Sequence, residues 1–208
     1  AVTFAVLGVL LYEEPDEDRV ADLIRERVFD DIPFADDEPR IATGLGLLAT
    51  WTQQAEQQGV SETTATLKRE WLRLFAGIGE PEAPSWATYY FEKDPLLFGA
   101  KTLEVRRWYA RFGLELERKY HEPDDHLGLM LQFLSLLVSR EAEALRDGRE
   151  EEAATLKDEQ GQFLTQNVLP WMTRWQDRVA KSTKSPFYQG IALLIVGALE
   201  TFSLRFSY

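Results

Sequence analysis

The sequence predicts an all-α protein that folds as a single helical bundle over residues 1–208. Apolar residues recur along most of the chain at the spacing of one helix face, as in Leu67, Trp71, Leu74 and Phe75. No segment keeps the apolar and polar alternation of a half-buried strand. Apolar residues make up 45% of the chain and charged residues 28%, which is typical of a globular domain with a packed core. Together these observations favour one helical domain.

The first helices are predicted from their starts. The segment from Ala1 to Tyr12 is apolar but has no basic amino-terminal region, no cleavage site and too few residues to span a bilayer, so we interpret it as a core helix. Two acidic stretches that contain proline, Glu13–Asp16 and Asp36–Pro39, each precede a new helical pattern. Because proline and acidic residues favour the first helical turn, both stretches predict helix starts.

The middle of the chain predicts three features in order. Glycines and prolines interrupt the helical pattern between about 76 and 95, which predicts an irregular segment that contains one short helical turn. Leu127 to Val138 is apolar on nearly all sides, as expected of a helix at the centre of the bundle. Residues 141–152 are highly charged and broken by Gly148, and predict a solvated helix-turn-helix connection.

Composition excludes several kinds of function. The chain has no cysteine, which excludes disulfides, thiolate metal sites and a cysteine nucleophile, and favours the reducing cytoplasm. Lysine plus arginine number 23 against 35 aspartate plus glutamate, a net charge of −12. Nucleic acid is therefore not an expected partner, because phosphate binding requires a basic surface. The apolar run from Ile191 to Leu199 is too short to span a bilayer, and we expect no membrane insertion.

The most informative string runs from Tyr120 to Leu127 and reads Tyr-His-Glu-Pro-Asp-Asp-His-Leu. Proline disfavours α geometry in the residue before it and suits a first helical turn, so a helix is predicted to begin near Pro123. Asp124 and Asp125 would then lie beside free backbone amides at the positive end of the helix dipole, which stabilise ionised carboxylates.

The residues of this string leave three interpretations open. The first is an ordinary helix start with His126 hydrogen-bonded at the edge of the core. The second is a metal site formed by His121, Glu122, Asp125 and His126, although no second cluster of ligands occurs elsewhere. The third is an enzyme, or a nucleotide-binding protein with a regulatory role, at the segment Glu122–His126. The enzyme would use Asp125 and His126 as an acid and base pair. Against the third, the sequence has neither a Gly-x-Ser-x-Gly elbow nor a Gly-x-x-x-x-Gly-Lys phosphate loop.

The pattern Glu-Pro-x-Asp-His before an apolar helix resembles the signature of the TorD/DmsD family, the redox enzyme maturation proteins that proofread twin-arginine signal peptides. Further segments agree with that family in order and spacing: Trp71-Leu72-Arg73-Leu74-Phe75 with Gly77, Pro84-Ser85-Trp86 followed by Tyr89, Leu97-Phe98-Gly99 followed by Leu103, Pro170-Trp171, and Pro186-Phe187-Tyr188. The resemblance covers about residues 70–190. One departure is Ile78, where family members often carry proline after the glycine.

The resemblance implies the helical fold of the family and a cytoplasmic chaperone, with no enzyme activity and no cofactor of its own. It implies two partners, the twin-arginine signal peptide and the catalytic subunit of a molybdenum oxidoreductase, whose cofactor is loaded before export. Some members exchange domains between chains, which implies either a monomer or a domain-swapped dimer. The irregular segment or the charged connection would then be the hinge.

A ligand of this kind requires carboxylates for guanidinium groups and an apolar groove for a helical segment. The implied signal-peptide-binding residues are Trp71, Leu74, Phe75, Trp86, Tyr89, Glu122, Pro123, Asp124, Asp125 and His126. The three acidic residues are the expected arginine partners, and Leu74 and the aromatic residues are the expected groove walls. Simple core packing of the aromatic residues remains an alternative. His126 is expected to be protonated around neutral pH and to hold Asp125 in place.

Overall fold

The structure is a computed structural model that describes residues 1–29, 38–77, 79–96, 98–116 and 122–206. Within these residues the regular secondary structure is helical, apart from one isolated antiparallel β-bridge between Trp86 and His126. The all-α prediction is therefore confirmed for the part of the chain that the structure describes.

The helices have the following bounds: α1 Val2–Tyr12, α2 Glu17–Arg25, α3 Pro39–Gln58, α4 Val60–Trp71, α5 Thr88–Phe91, α6 Ala100–Arg111, α7 Leu127–Arg146, α8 Glu150–Phe163, α9 Leu169–Ser182 and α10 Pro186–Ser203. A π-helical turn, Leu72–Ala76, follows α4, and a second one, Leu164–Val168, joins α8 to α9. A 3-10 turn, Leu204–Phe206, follows α10.

Side-chain caps explain where the early helices begin. Before α2, the Asp16 carboxylate accepts a hydrogen bond from the Arg19 backbone N–H at 2.8 Å. Before α3, the Glu38 carboxylate accepts one from the Ile41 N–H at 2.8 Å, and Pro39 occupies the first turn. These bonds satisfy amides that have no partner within the helix. Asp36 and Asp37, which belong to the predicted start of α3, lie outside the described residues.

The connection between α7 and α8 is short. Helix α7 ends at Arg146 and α8 begins at Glu150. Gly148 lies between them with φ +71°, a left-handed conformation that glycine adopts without steric cost. Within the irregular segment, α5 forms a single short helix of four residues.

Packing divides the chain into two compact units. The first unit comprises Ala1–Tyr12, Ser85–Met172 and the residues from Ser203 onward, and the second comprises Glu13–Pro84 and Thr173–Phe202. A single domain over the whole chain stays a prediction.

In the first unit, α1 packs closely on the start of α7. A Cβ atom on Gly8 would lie 2.7 Å from the carbonyl oxygen of Gly128, and one on Gly128 would lie 2.7 Å from that of Gly8. Glycine at both positions therefore allows the two backbones to touch. The core of the first unit also contains a cluster of aromatic rings. The ring centroid of Phe133 lies 4.9 Å from that of Tyr109 and 4.8 Å from that of Phe163.

In the second unit, α10 supplies much of the core. Phe187 packs on Trp51 with ring centroids 4.7 Å apart, and Tyr188 packs edge-on against Phe75 at 5.5 Å. The Tyr188 hydroxyl donates to the Leu67 carbonyl at 2.9 Å. This bond satisfies the polar end of a side chain that is otherwise buried among apolar groups.

Among the described residues, one helical stretch, Pro186–Phe206, is long and apolar enough to cross a membrane when judged by length and composition alone. The core helix of a soluble protein passes the same test, and 56% of the apolar 18-residue window in this stretch is buried. It is therefore weak evidence for a membrane span.

Candidate functional site

The string before α7 folds as a turn outside the helix. His126 has an extended backbone, with φ −67° and ψ 130°, and its Nδ1 accepts a hydrogen bond from the Gly128 N–H at 3.0 Å. It is therefore the N-cap, and α7 begins at Leu127. The prediction that the helix begins near Pro123 is wrong by four residues. We expected Asp124 and Asp125 to lie beside the free amides of this helix, but both carboxylates accept hydrogen bonds from groups outside α7.

Residues 85–88 run alongside this turn and are hydrogen-bonded to it. The Leu127 N–H donates to the Ser85 carbonyl at 2.7 Å, and the Ala87 N–H donates to the Asp125 carbonyl at 3.1 Å. The β-bridge described above belongs to the same pairing. The start of α7 is thus held by a segment about forty residues earlier in the chain.

Asp125 is fully buried, with 0% of its surface exposed. Its Oδ2 accepts from the Thr88 N–H at 2.8 Å and its Oδ1 accepts from the Thr102 hydroxyl at 2.7 Å. Buried charge requires such partners, because removing it from water is otherwise costly. Because none of its surface is exposed, a guanidinium group would reach Asp125 only if the residues around it moved. Asp125 therefore lies beneath the surface of this region.

Asp124 is also buried, and it pairs with an arginine of the same chain. Its Oδ2 accepts from Arg106 Nε at 3.0 Å and from Nη2 at 2.7 Å. The Tyr109 hydroxyl donates to the Asp124 backbone carbonyl at 2.9 Å. Burial, and then the charges of Asp124 and Asp125, raise the pKa of Tyr109 well above its ordinary value, so its hydroxyl remains a donor.

Glu122 is the half-buried carboxylate of this turn. Its Oε1 accepts from the Trp86 indole N–H at 2.6 Å. Burial raises the pKa of the Glu122 carboxyl, the bond from Trp86 opposes that rise, and the charge of Asp125 adds to it. Pro123 beside it is buried. Of the three acidic residues in the string, Glu122 is thus the most exposed.

His126 is buried between aromatic rings, and burial lowers the pKa of its imidazole to about 3. The ring lies 5.2 Å from Tyr12 and 5.6 Å from Trp86, both edge-on. A neutral imidazole also fits its cap bond, because Nδ1 accepts a hydrogen bond only when it carries no proton. The expectation that His126 is protonated around neutral pH is therefore wrong. Thr88 and Thr102 hold Asp125, the role expected of His126.

The two aromatic candidates of the first unit are neighbours. The Trp86 and Tyr89 rings lie 6.0 Å apart, and Tyr89 is half-buried whereas Trp86 is buried. Near them, the hydroxyls of Ser85 and Thr88 are buried and have no hydrogen-bond partner among the described residues. Polar groups in that condition are uncommon in folded proteins.

The other three candidates belong to the second unit. Trp71 ends α4 and is half-buried, while Leu74 and Phe75 lie in the π-helical turn and are buried in the core. Core packing, the alternative that the sequence left open for the aromatic residues, thus describes Phe75, and Leu74 beside it is buried in the same way. The π turn also explains the glycine of the motif, because a Cβ atom on Gly77 would lie 2.7 Å from the Leu72 carbonyl oxygen.

Sequence reasoning missed the residues of α6 that hold the aspartates. Thr102, Arg106 and Tyr109 have the i, i+4, i+7 spacing of one helix face, and each bonds to Asp124 or Asp125. That spacing was visible in the sequence, but nothing in it identified the partner. A cavity of about 440 Å³ opens beside the Arg106–Asp124 pair.

A metal site at this turn gains no support from the geometry. The part of the chain that the structure describes contains no group of three or more histidine or acidic side chains placed to bind a metal ion. His121, one of the four residues considered as ligands, lies outside the described residues, as do Tyr120, Leu97 and Ile78 of the quoted motifs.

Comparison with known proteins gives a consistent result. The family described as the nitrate reductase delta subunit matches residues 38–177. The Tat proofreading chaperone DmsD of Salmonella paratyphi A is 30% identical over 93% of this chain and 84% of its own length. That of Salmonella typhimurium is 28% identical over the same shares. The chaperone protein TorD of Vibrio vulnificus is 31% identical over 62% of this chain and 59% of its own length.

Proposed function

The chain belongs to the TorD/DmsD family of chaperones, and on that premise we propose that it binds the twin-arginine signal peptide of a molybdenum oxidoreductase. In this role it assists loading of the molybdenum cofactor into the catalytic subunit before export. The observation that carries the proposal is the similarity, along nearly the whole chain, to proteins named Tat proofreading chaperones. Those relatives are named as chaperones and not as enzymes.

We also propose that the protein works in the cytoplasm, where a signal peptide is met before export. The absence of cysteine fits a reducing compartment. The net charge of −12 favours a basic ligand such as a peptide with two arginines, since opposite charge accelerates encounter. Whether the protein is a monomer or a domain-swapped dimer stays a prediction.

Glu122 is the carboxylate that we propose as the direct arginine acceptor. It is half-buried, so it is accessible and yet partly shielded from water, which strengthens a charge-assisted hydrogen bond. The Trp86 indole occupies one of its oxygens and orients the other. A guanidinium group would also keep the Glu122 carboxyl ionised, because a nearby positive charge lowers its raised pKa.

The remaining acidic residues act less directly in this proposal. Asp124 carries the charge pair with Arg106, whose side chain is 27% exposed next to the cavity. A peptide arginine that approaches there competes with Arg106 for the same carboxylate. Asp125, Pro123 and His126 are buried and shape the turn.

The apolar part of the peptide requires aromatic surface that is partly open. Tyr89, in the same unit as Glu122, is half-buried and meets that requirement. Trp71 in the second unit is also half-buried, and its part in peptide binding stays a prediction. Trp86, Leu74 and Phe75 are buried and support neighbouring surface residues. Leu72, in the same π turn as Phe75, is 41% exposed and adds apolar surface to the second unit.

A double-mutant cycle tests the arginine assignment. Isothermal titration would combine wild-type and Glu122→Gln protein with a synthetic signal peptide that carries Arg-Arg or Lys-Lys. With the Arg-Arg peptide, Glu122→Gln is expected to weaken binding by about 1–3 kcal/mol, the range for a hydrogen bond to a charged group. With the Lys-Lys peptide the loss is expected to be smaller, because lysine lacks the bidentate fork.

Glu143→Gln is the matched control, since Glu143 is exposed on α7 and its loss is expected to leave binding unchanged. The same cycle is repeated with Asp125→Asn in place of Glu122→Gln. Coupling between Asp125 and the arginines, without coupling at Glu122, would transfer the acceptor role to Asp125. No measurable binding of the Arg-Arg peptide to the wild-type protein would refute the proposed function itself.

A further inference from the structure

Helix α6 holds the turn before α7 through one face. Thr102, Arg106 and Tyr109 lie one and two turns apart on that face. The first bonds to the Asp125 carboxylate, the second to the Asp124 carboxylate and the third to the Asp124 carbonyl. Two adjacent aspartates are thereby held at three points by a single element.

Among these three, Thr102 is the residue that no ligand reaches. It is fully buried, with 0% of its surface exposed. Its hydroxyl lies 2.7 Å from Asp125 Oδ1, a short distance that fits an O–H donor to a charged acceptor. Any effect of Thr102 on a bound peptide is therefore transmitted through Asp125.

The bonds of Asp125 continue to Glu122 through residues 86–88. Its Oδ2 accepts from the Thr88 N–H and its carbonyl accepts from the Ala87 N–H. These bonds fix the backbone directly after Trp86, whose indole N–H donates to Glu122 at 2.6 Å. The position of the Glu122 carboxylate thus depends on how Asp125 is held.

We propose that Thr102 is a positioning residue of the signal-peptide site, and that its hydroxyl, acting through Asp125 and residues 86–88, sets the Trp86–Glu122 pair in the geometry that receives an arginine. This inference rests on the proposed function. It assigns the Thr102 hydroxyl a part in ligand affinity as well as in packing. A group that acts only in packing would leave the Trp86–Glu122 bond unchanged when it is removed.

The test removes the hydroxyl and then restores it. Thr102→Val keeps the shape of the side chain without its donor, whereas Thr102→Ser keeps the donor. Two readouts apply to each variant: the Kd for a synthetic Arg-Arg signal peptide, and the NMR chemical shift of the Trp86 indole N–H, identified through a Trp86→Phe variant. The indole shift reports the hydrogen bond to Glu122 and requires no peptide.

Thr102→Val is expected to raise the Kd by about tenfold or more, which corresponds to loss of one hydrogen bond to a charged group. The same variant is expected to move the Trp86 indole signal toward that of an indole without a hydrogen bond. Thr102→Ser is expected to restore both readouts, with a Kd within about threefold of the wild-type value.

Thr52→Val is the matched control in the second unit. Thr52 is also a buried helical threonine, but its hydroxyl donates at 3.0 Å to the Leu48 carbonyl of its own helix. Its loss is expected to leave the Kd and the indole signal unchanged. The control separates loss of a buried hydroxyl in general from loss of this one.

Several outcomes would overturn the inference. One is a Thr102→Val protein that is less stable but retains the wild-type Kd and indole shift. Another is a Thr102→Ser protein that binds as weakly as Thr102→Val, and this variant decides the matter if Thr102→Val does not fold. If the wild-type protein binds no peptide, the proposed function fails and the inference fails with it, whereas a changed indole signal would still establish the path from Thr102 to Glu122.

Discussion

Two pairs of adjacent candidate residues are buried to a similar degree, but one pair is apolar and the other is acidic. In the second unit, Leu74 and Phe75 lie in an apolar core at 0% and 2% exposure. In the first unit, Asp124 and Asp125 lie at 3% and 0% exposure among specific hydrogen-bond donors. An apolar side chain gains stability from any dry, well-packed surroundings, whereas a carboxylate needs particular partners at particular distances.

The difference teaches how to interpret a motif residue. Both pairs are buried, yet both belong to segments that resemble the signature of the family. A residue of the family motif can therefore support the surface from below without itself touching a ligand. Each pair has more exposed neighbours, which are Leu72 and Trp71 in the second unit and Glu122 in the first.

The largest expected effect tests the apolar pair. Phe75→Ala is expected to lower the free energy of unfolding by about 3–5 kcal/mol, because it leaves a cavity against Tyr188 and Trp175. Urea denaturation at low and high salt measures this, and the loss is expected to be the same at both. Leu72→Ala in the same turn is the control, with an expected loss below about 1 kcal/mol. Equal losses from the two variants would contradict the assignment of Phe75 to the core.

The next effect tests the charged pair. Asp125→Ala is expected to lower the free energy of unfolding by about 3 kcal/mol, because the Thr88 N–H and the Thr102 hydroxyl lose their acceptor in a dry environment. Asp147→Ala is the control, since Asp147 is exposed and pairs with Arg149 at the surface. A stability close to wild type for Asp125→Ala, together with weaker peptide binding, would restore Asp125 as a direct ligand.

The smallest effect concerns His126, a polar side chain that is buried among aromatic rings. Its folded-state pKa of about 3 lies below the unfolded value near 6.5. Below pH 6.5 the unfolded chain therefore takes up a proton that the folded chain refuses, so stability is present above that pH and is lost as the pH falls. The loss is expected to be about 1.4 kcal/mol per pH unit, or about 2 kcal/mol between pH 6.5 and pH 5.

His126→Asn isolates this contribution, because asparagine keeps a capping acceptor and does not titrate. Denaturation curves at several pH values between 5 and 6.5 should show a shallower slope for the variant than for the wild type. His121→Gln is the companion control for the other histidine of the chain. A wild-type slope that persists in His126→Asn would mean that His126 is not buried in its neutral form.

The all-α class and the starts of α2 and α3 follow from local rules. Helical periodicity, acidic residues and proline act within a few residues of where they occur. Asp16 and Pro39 therefore mark the starts of helices without knowledge of the rest of the chain. The short helix Thr88–Phe91 differs from these two, because its N-cap Ala87 provides no side-chain cap and the Thr88 N–H donates to Asp125, which is distant along the chain.

The roles of the candidate residues depend on partners that are distant along the chain. Asp125 looks like a helix-start carboxylate because Pro123 and His126 flank it, and only packing brings Thr88 and Thr102 to its two oxygens. The charge of His126 likewise depends on burial beside Tyr12 and Trp86, which a string of residue types does not contain. Hydrophobic periodicity is repeated many times and tolerates error, whereas a hydrogen bond between distant segments is a single geometric event. The local sequence pattern therefore determines the helices, whereas the tertiary structure determines which carboxylate is exposed to a ligand.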